Sequence, residues 1–181
     1  MNKSNKQQYN ETHTKIQEAY LDLTQHCKHV SITQLCNTIN INRSSFYYHF
    51  DDIVALHNAI KKRIFKEVHE DFLRSKKSDY FFTLTNFRIF THHLFKYRKF
   101  YTLFLNENAT SFPIEDGYIT LKEQIITPYM HQKGITDERC IHLRFICFQA
   151  GLTLTLKDWF ENGLMESPDC VAQILYDVLK L

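Results

Sequence analysis

Arg43, Ser44 and Ser45 place one long cation beside two short hydroxyls directly after Asn42, and Tyr47, Tyr48 and His49 follow within one more helical turn. If Asn42 caps a helix, these side chains occupy its first turn. A helix N-terminus offers unpaired N–H groups and the positive end of its dipole to phosphate, and short polar side chains let it enter a major groove. Arg43 is the only one of the three able to make a bidentate contact with guanine O6 and N7, so it is the first candidate for base reading. Ser44 and Ser45 are too short to specify much alone. No other constellation carries chemistry. There is no Gly-rich phosphate loop, no nucleophile elbow and no metal-ligand spacing, so no catalytic residue, metal or cofactor is expected and the chain is not read as an enzyme. His92-His93, His131 and His142 form no i, i+4 pair and keep no Cys or carboxylate at ligand spacing. Five cysteines, at 27, 36, 140, 147 and 170, include no C-x-x-C and read as free thiols, several on apolar faces.

The elements that must position Arg43 can be read on either side of it. Ile16, Ala19, Tyr20 and Leu23 fall at helical spacing in a first helix running roughly from Tyr9 to Cys27. Ser31-Ile-Thr-Gln34 has the spacing of a capping box, in which Ser31 caps the first turn and Gln34 reaches back. The short helix it opens buries Ile32, Leu35, Cys36 and Ile39 and ends near Asn40, since Asn tolerates the left-handed conformation of a tight turn. Asn42 then caps a third helix that turns Phe46 and Phe50 toward the core. Asp51 and Asp52 open a fourth, with Ile53, Leu56, Ile60 and Ile64 in its stripe, running to about Arg74. Ser75-Lys-Lys-Ser-Asp79 is the first clear break in composition, and the domain junction lies at or before it. We take 1–55 as a helix-turn-helix domain that includes the start of the fourth helix, and 56–181 as a regulatory and dimerisation domain.

Two short helices joined by a tight turn and braced by a longer one describe a helix-turn-helix. The run from Ser31 to Phe50, with Tyr47-x-His49-Phe50 ending it, closely resembles the DNA-binding signature of the TetR family of transcriptional regulators over about Tyr9 to Phe65. The resemblance implies an all-α protein: a three-helix DNA-binding domain joined by a long fourth helix to a helical ligand-binding and dimerisation domain. It also implies phosphate contacts from Tyr47 and His49, with Tyr48 and Thr33 where the family also touches DNA. The DNA-facing set is therefore Thr33, Asn42, Arg43, Ser44, Ser45, Tyr47, Tyr48 and His49. Three positions depart from the family pattern. Asn40 stands for its turn glycine, Ile39 for a small residue, and Ile53 for a lysine that contacts phosphate. Lys3, Lys6 and Lys28 are the cations placed to compensate.

Bulk properties agree with a DNA-binding helical chain. Four Gly and three Pro against 26 aromatics leave few turn formers for an all-β fold and favour long helices. The formal charge of +2 conceals a division: residues 1–66 carry nine Lys/Arg and five Asp/Glu, and the remainder thirteen and fifteen. The basic excess sits in the part expected to meet DNA. Neither a secretory h-region nor an eighteen-residue apolar run occurs, so a cytoplasmic location is expected.

Asp137 opens a long helix carrying Ile141, Phe145, Phe148, Leu152 and Trp159 and closing near Gly163, and Ser167-Pro168 opens a last helix striped by Val171, Ile174, Leu175, Val178 and Leu179. By the resemblance these two form an intermolecular four-helix bundle, with Gly151 permitting a close crossing. The aromatic helices between about 80 and 130 would then surround a small-molecule effector, with Phe87, Phe90, Phe104, Tyr118, Phe148 and Trp159 as candidate liners. The segment from Phe148 to Gly163 is similar to a C-terminal subtype common in Gram-positive members, whose relatives include coregulators. The expected function is a homodimeric, sequence-specific repressor of transcription that responds to a small molecule. The alternative is a coregulator or interaction protein that keeps the fold with weakened DNA binding.

Overall fold

Several helix starts in this chain coincide with residues that cap them. In a computed structural model, residues 3–27, 29–74, 82–107 and 121–179 are described, without the side chains of 3, 4, 72, 73 and 104–107. Among these residues there are nine α-helices and no strand. They are α1 (Lys3–Thr24), α2 (Ile32–Ile39), α3 (Arg43–His49), α4 (Ile53–Arg74), α5 (Leu84–Lys96), α6 (Arg98–Glu107), α7 (Thr127–Gln132), α8 (Glu138–Glu161) and α9 (Pro168–Leu179). A π-helical turn, Leu121–Ile126, runs directly into α7. The helices group into two compact units, Met1–Glu67 and Val68–Leu181, and α4 contributes to both.

In the first unit, Ile16, Leu35, Phe46, Leu56, Ile60 and Ile64 are fully enclosed, one or more from each of α1 to α4. Burying each such side chain contributes about 1.5–3 kcal/mol, which holds helices as short as α2 and α3 that could not persist alone. Ser31 Oγ accepts the Gln34 N–H at 3.1 Å. The expected return reach of Gln34 is replaced by a different contact, its Nε2 lying 3.2 Å from Cys27 Sγ, so only half of the capping box forms. α1 begins at Lys3, six residues before the expected start near Tyr9.

Asn40 adopts the left-handed conformation, with φ 54° and ψ 51°. Its N–H is bonded to the Asn37 carbonyl, and the Ile41 N–H to that of Cys36, which closes α2 with a 6→1 bond. Lys15 of α1 donates from Nζ to the Ile39 carbonyl at 3.2 Å, tying the turn to the bracing helix.

The second unit pairs α5 closely with α9, and packs α6 and the π-helical turn on α8. α8 buries Ile141, Phe145, Phe148, Leu152, Leu156 and Trp159 along one face. Asp137 Oδ1 caps it by accepting the Cys140 N–H at 2.7 Å. At its far end Gly163 (φ 73°) and Leu164 (φ 58°) both turn left-handed, and Trp159 Nε1 donates to the Glu166 carbonyl at 3.0 Å, fixing the return into α9. Gly151 is used within the chain: a Cβ built there would lie 2.9 Å from Leu179 Cδ2 of α9. None of the described helices is long and apolar enough to cross a membrane.

Candidate nucleic-acid interface

α3 is seven residues long and two-sided. Phe46 and Phe50 turn inward, 0% and 6% exposed, while Tyr47 and Tyr48 turn outward at 47% and 70%. Asn42 is the N-cap, in extended conformation, its Oδ1 accepting the Ser45 N–H at 2.6 Å. That bond uses one lone pair of the oxygen and leaves the Asn42 amide NH₂ for any DNA contact.

Arg43 and Ser44 are exposed beside it and Ser45 is half-buried. One turn on, Arg43 Nη2 donates to Tyr47 Oη at 3.2 Å, with the guanidinium carbon 5.9 Å from the ring centre. The hydrogen bond to Tyr47 strengthens the proton affinity of Arg43. The residue expected to read bases and one expected to orient the helix are therefore coupled, which their spacing of four residues allows.

α1 contributes more to this surface than the sequence reading assigned to it. Asn5, Gln8, Tyr9 and Thr12 of α1 line one groove with Asn42, Ser44, Ser45, Tyr48 and His49. The Tyr9 ring centre lies 4.3 Å from that of His49 and 5.6 Å from that of Tyr48. Tyr9 and His13 stand four residues apart, the one available clue, but their partners lie more than thirty residues away in sequence and only the fold brings them together. Thr33 is exposed on α2. Ile53 is half-buried and its neighbour Val54 is 66% exposed, so the start of α4 carries apolar side chains where a phosphate-binding lysine was the family expectation. Lys6 is exposed on α1, whereas Lys28 and the Lys3 side chain lie outside the described residues.

Four of the residues expected to line an effector pocket have described side chains. Phe87, Phe148 and Trp159 are buried, and their rings meet Tyr176, Phe82 and Phe95 respectively. Phe90 is half-buried, while Tyr118 and the Phe104 side chain lie outside the described residues. On the opposite side of α8 from its buried stripe, Leu143, Ile146 and Leu154 are 47%, 42% and 66% exposed, and Ile174 and Val178 of α9 are 46% and 74% exposed. The expected stripe of α9 thus divides, with Val171, Leu175 and Leu179 turned inward.

No protein-family model matches the chain, and no curated protein matches it. Among solved structures, the chain is similar to the "Dihydroxyacetone kinase operon activator DhaS", with a TM-score of 0.58 over 93% of each chain at 16% identity. Likeness at that identity is a statement about architecture, and it accords with the helices described above: the chain has the all-helical, TetR-like fold of that regulator.

Proposed function

We propose that this chain is a sequence-specific DNA-binding regulator of transcription that grips operator DNA as a homodimer. The observation that carries the reading is the two-sided α3, capped by Asn42 and anchored by Phe46, with Arg43, Tyr47 and Tyr48 left open on one face. Arg43 reads a base edge, and Tyr47, Tyr48 and His49 orient the helix on phosphates, with Thr33 adding a contact from α2. The name of the similar protein, an operon activator, supports a role in transcription. Two copies meet through the exposed apolar residues of α8 and α9, since a helix that is apolar on both faces requires a cover on each. Two half-sites then multiply the weak contacts of a short recognition helix. Repression by occupying a promoter is the output we assign, with a small-molecule effector acting through the aromatic second unit.

The test is fluorescence anisotropy with DNA from upstream of the chain's own gene against a scrambled duplex, alongside light scattering for oligomeric state. Preferential binding by a dimer is expected. Equal affinity for both duplexes at micromolar protein would remove sequence-specific regulation, and a monomer throughout would remove the interface. A promoter–reporter assay with and without the chain reads the sign. A coregulator that binds a partner protein is the second reading, favoured by apolar Ile53 and exposed Val54 at the start of α4. It requires loss of DNA preference together with specific capture of a partner regulator.

A further inference from the structure

We propose, resting on the reading that α3 binds DNA, that Tyr9 and His13 of α1 are positioning residues for that helix, holding it through His49 only while both imidazoles are neutral. One face of α1 grips three consecutive residues at the end of α3. Tyr9 covers His49 at 4.3 Å and meets Tyr48 edge-on at 5.6 Å. His13 lies 4.5 Å from Phe50 and 5.6 Å from His49, and stacks on Tyr9 at 5.8 Å. Tyr48 and His49 line the same groove as Asn42, Ser44 and Ser45, so whatever shifts this end of α3 shifts its outward face.

An added proton finds no balancing charge in this contact. Nδ1 of His13 and Nδ1 of His49 are both buried with no hydrogen-bond partner among the described residues. The remaining nitrogen of His13, Nε2, lies 3.2 Å from Gln17 Nε2; with the amide donating, Nε2 is the acceptor, the neutral ring already carries its proton on Nδ1, and an added proton must go to Nε2. The titratable and charged groups facing the pair are Tyr9 on α1, Tyr48 on α3 and Arg63 on α4, besides the two histidines themselves. Arg63 Nε is itself buried without a partner. None of these is a carboxylate. Burial, then Arg63, holds His13 below the ordinary histidine range, and burial, then His13, does the same to His49. A doubly protonated imidazole must donate from both nitrogens, and here the new Nε2–H of His13 meets the Gln17 amide NH₂ while the ring's charge lies near Arg63. That uncompensated charge lies in the α1–α3 contact and weakens it.

The sign of the pH dependence separates this arrangement from a simple phosphate contact. A histidine that merely meets phosphate takes up a proton on binding, so affinity rises on acidification; a contact that needs neutral rings loses affinity instead. Operator affinity of the full chain is measured by anisotropy from about pH 7.5 to about pH 5.5, across the ordinary histidine range. We expect a fall of about tenfold for the wild type. His13→Phe keeps the ring contacts and removes one of the two titrating imidazoles, and is expected to bind like wild type at the upper pH with a smaller fall than wild type. His13→Lys, permanently charged, should bind weakly at every pH; if circular dichroism shows it unfolded, the wild type and His13→Phe decide alone. A wild-type profile that is flat or rises, or a His13→Phe profile that falls as steeply as wild type, overturns the proposal. NMR titration of the histidine ring protons without DNA is the independent arm. His13 and His49 should titrate below the exposed histidines, with His49 moving upward in His13→Phe. Ordinary titration of both also overturns it, whereas absence of DNA binding at all pH values with a coupled titration would sink only the operator reading.

Discussion

Asn42 serves two roles that substitution can separate. Its Oδ1 accepts the Ser45 N–H at 2.6 Å, and the residue lies in the groove beside Ser44 and Ser45 that is proposed to face DNA. Asn42→Ala removes the acceptor, and loss of an N-cap costs about 1 kcal/mol within a range of 0.5–2. α3 has only seven residues and no helical stability of its own, so the cost appears as fraying of the helix or of the whole chain. For a chain of this size that lowers Tm by about 2–4 °C, and 1 kcal/mol multiplies the frayed population about fivefold. Asn42→Asp keeps the acceptor and adds a negative charge that the helix N-terminus favours by about 0.3–1 kcal/mol at an exposed position. The same charge repels phosphate. The two measurements should therefore rank the variants differently. Thermal unfolding by circular dichroism should give Asp at or above wild type and both above Ala. Operator binding by anisotropy should give wild type above Ala and Ala above Asp, the last weaker than wild type by about tenfold or more at low salt. If Asn42→Asp is as unstable as Asn42→Ala, the cap is not what stabilises α3; if it binds the operator like wild type, the residue does not face DNA.

Arg43→Ala should flatten the preference for operator over scrambled DNA, and Tyr47→Phe, which removes the acceptor of the Arg43 bond, should weaken both duplexes while also reducing that preference. Retention of full preference in Tyr47→Phe would show that the Arg43–Tyr47 bond plays no part in base reading. Gly151→Val drives two methyls into Leu179 and should destabilise the chain by about 1–3 kcal/mol in denaturant titration, whereas Gly151→Ala, whose one methyl meets only the tip of Leu179 and gains about 0.5–1 kcal/mol of helix propensity, should stay near wild type. Equal stability of all three would contradict the close α8–α9 crossing. Trp159→Phe deletes the donor to the Glu166 carbonyl, a loss of about 1 kcal/mol, and an unchanged denaturation midpoint would count against that anchor.

Stability should also depend on pH through His13 and His49. Both have lowered affinity for protons in the folded state, so the unfolded chain binds more protons as pH falls through the ordinary histidine value of 6.5. Their contribution is intact above that value and declines below it, until pH passes under the lowered folded-state values. Urea midpoints at about pH 7.5 and about pH 5.5 should show the fall in wild type and a smaller one in His13→Phe; identical midpoints in wild type would refute the linkage.

Local chemistry made much of this chain legible from sequence. Asn40 in its left-handed turn, the caps at Ser31, Asn42 and Asp137, and the enclosed stripe of Leu56, Ile60 and Ile64 all depend on residues a few positions apart, and these behave as their spacing predicts. The family signature is likewise a local pattern, and it marked α3 without any tertiary information. What spacing could not decide was which partner each side chain meets. Gln34 was free to close its own capping box but lies against Cys27 instead. Gly151 looked suited to a crossing between chains and is taken up by Leu179 of its own. The apolar stripe of α9 divides into buried Val171, Leu175 and Leu179 and open Ile174 and Val178, because the helix packs on a neighbour along only part of its circumference. Tyr9 and His13 gain their significance from residues more than thirty positions away. Periodicity states how much of a helix must be covered and turn chemistry where it stops, but the choice among equally apolar or equally polar partners belongs to three-dimensional packing, and that choice brought His13 of α1 against His49 of α3.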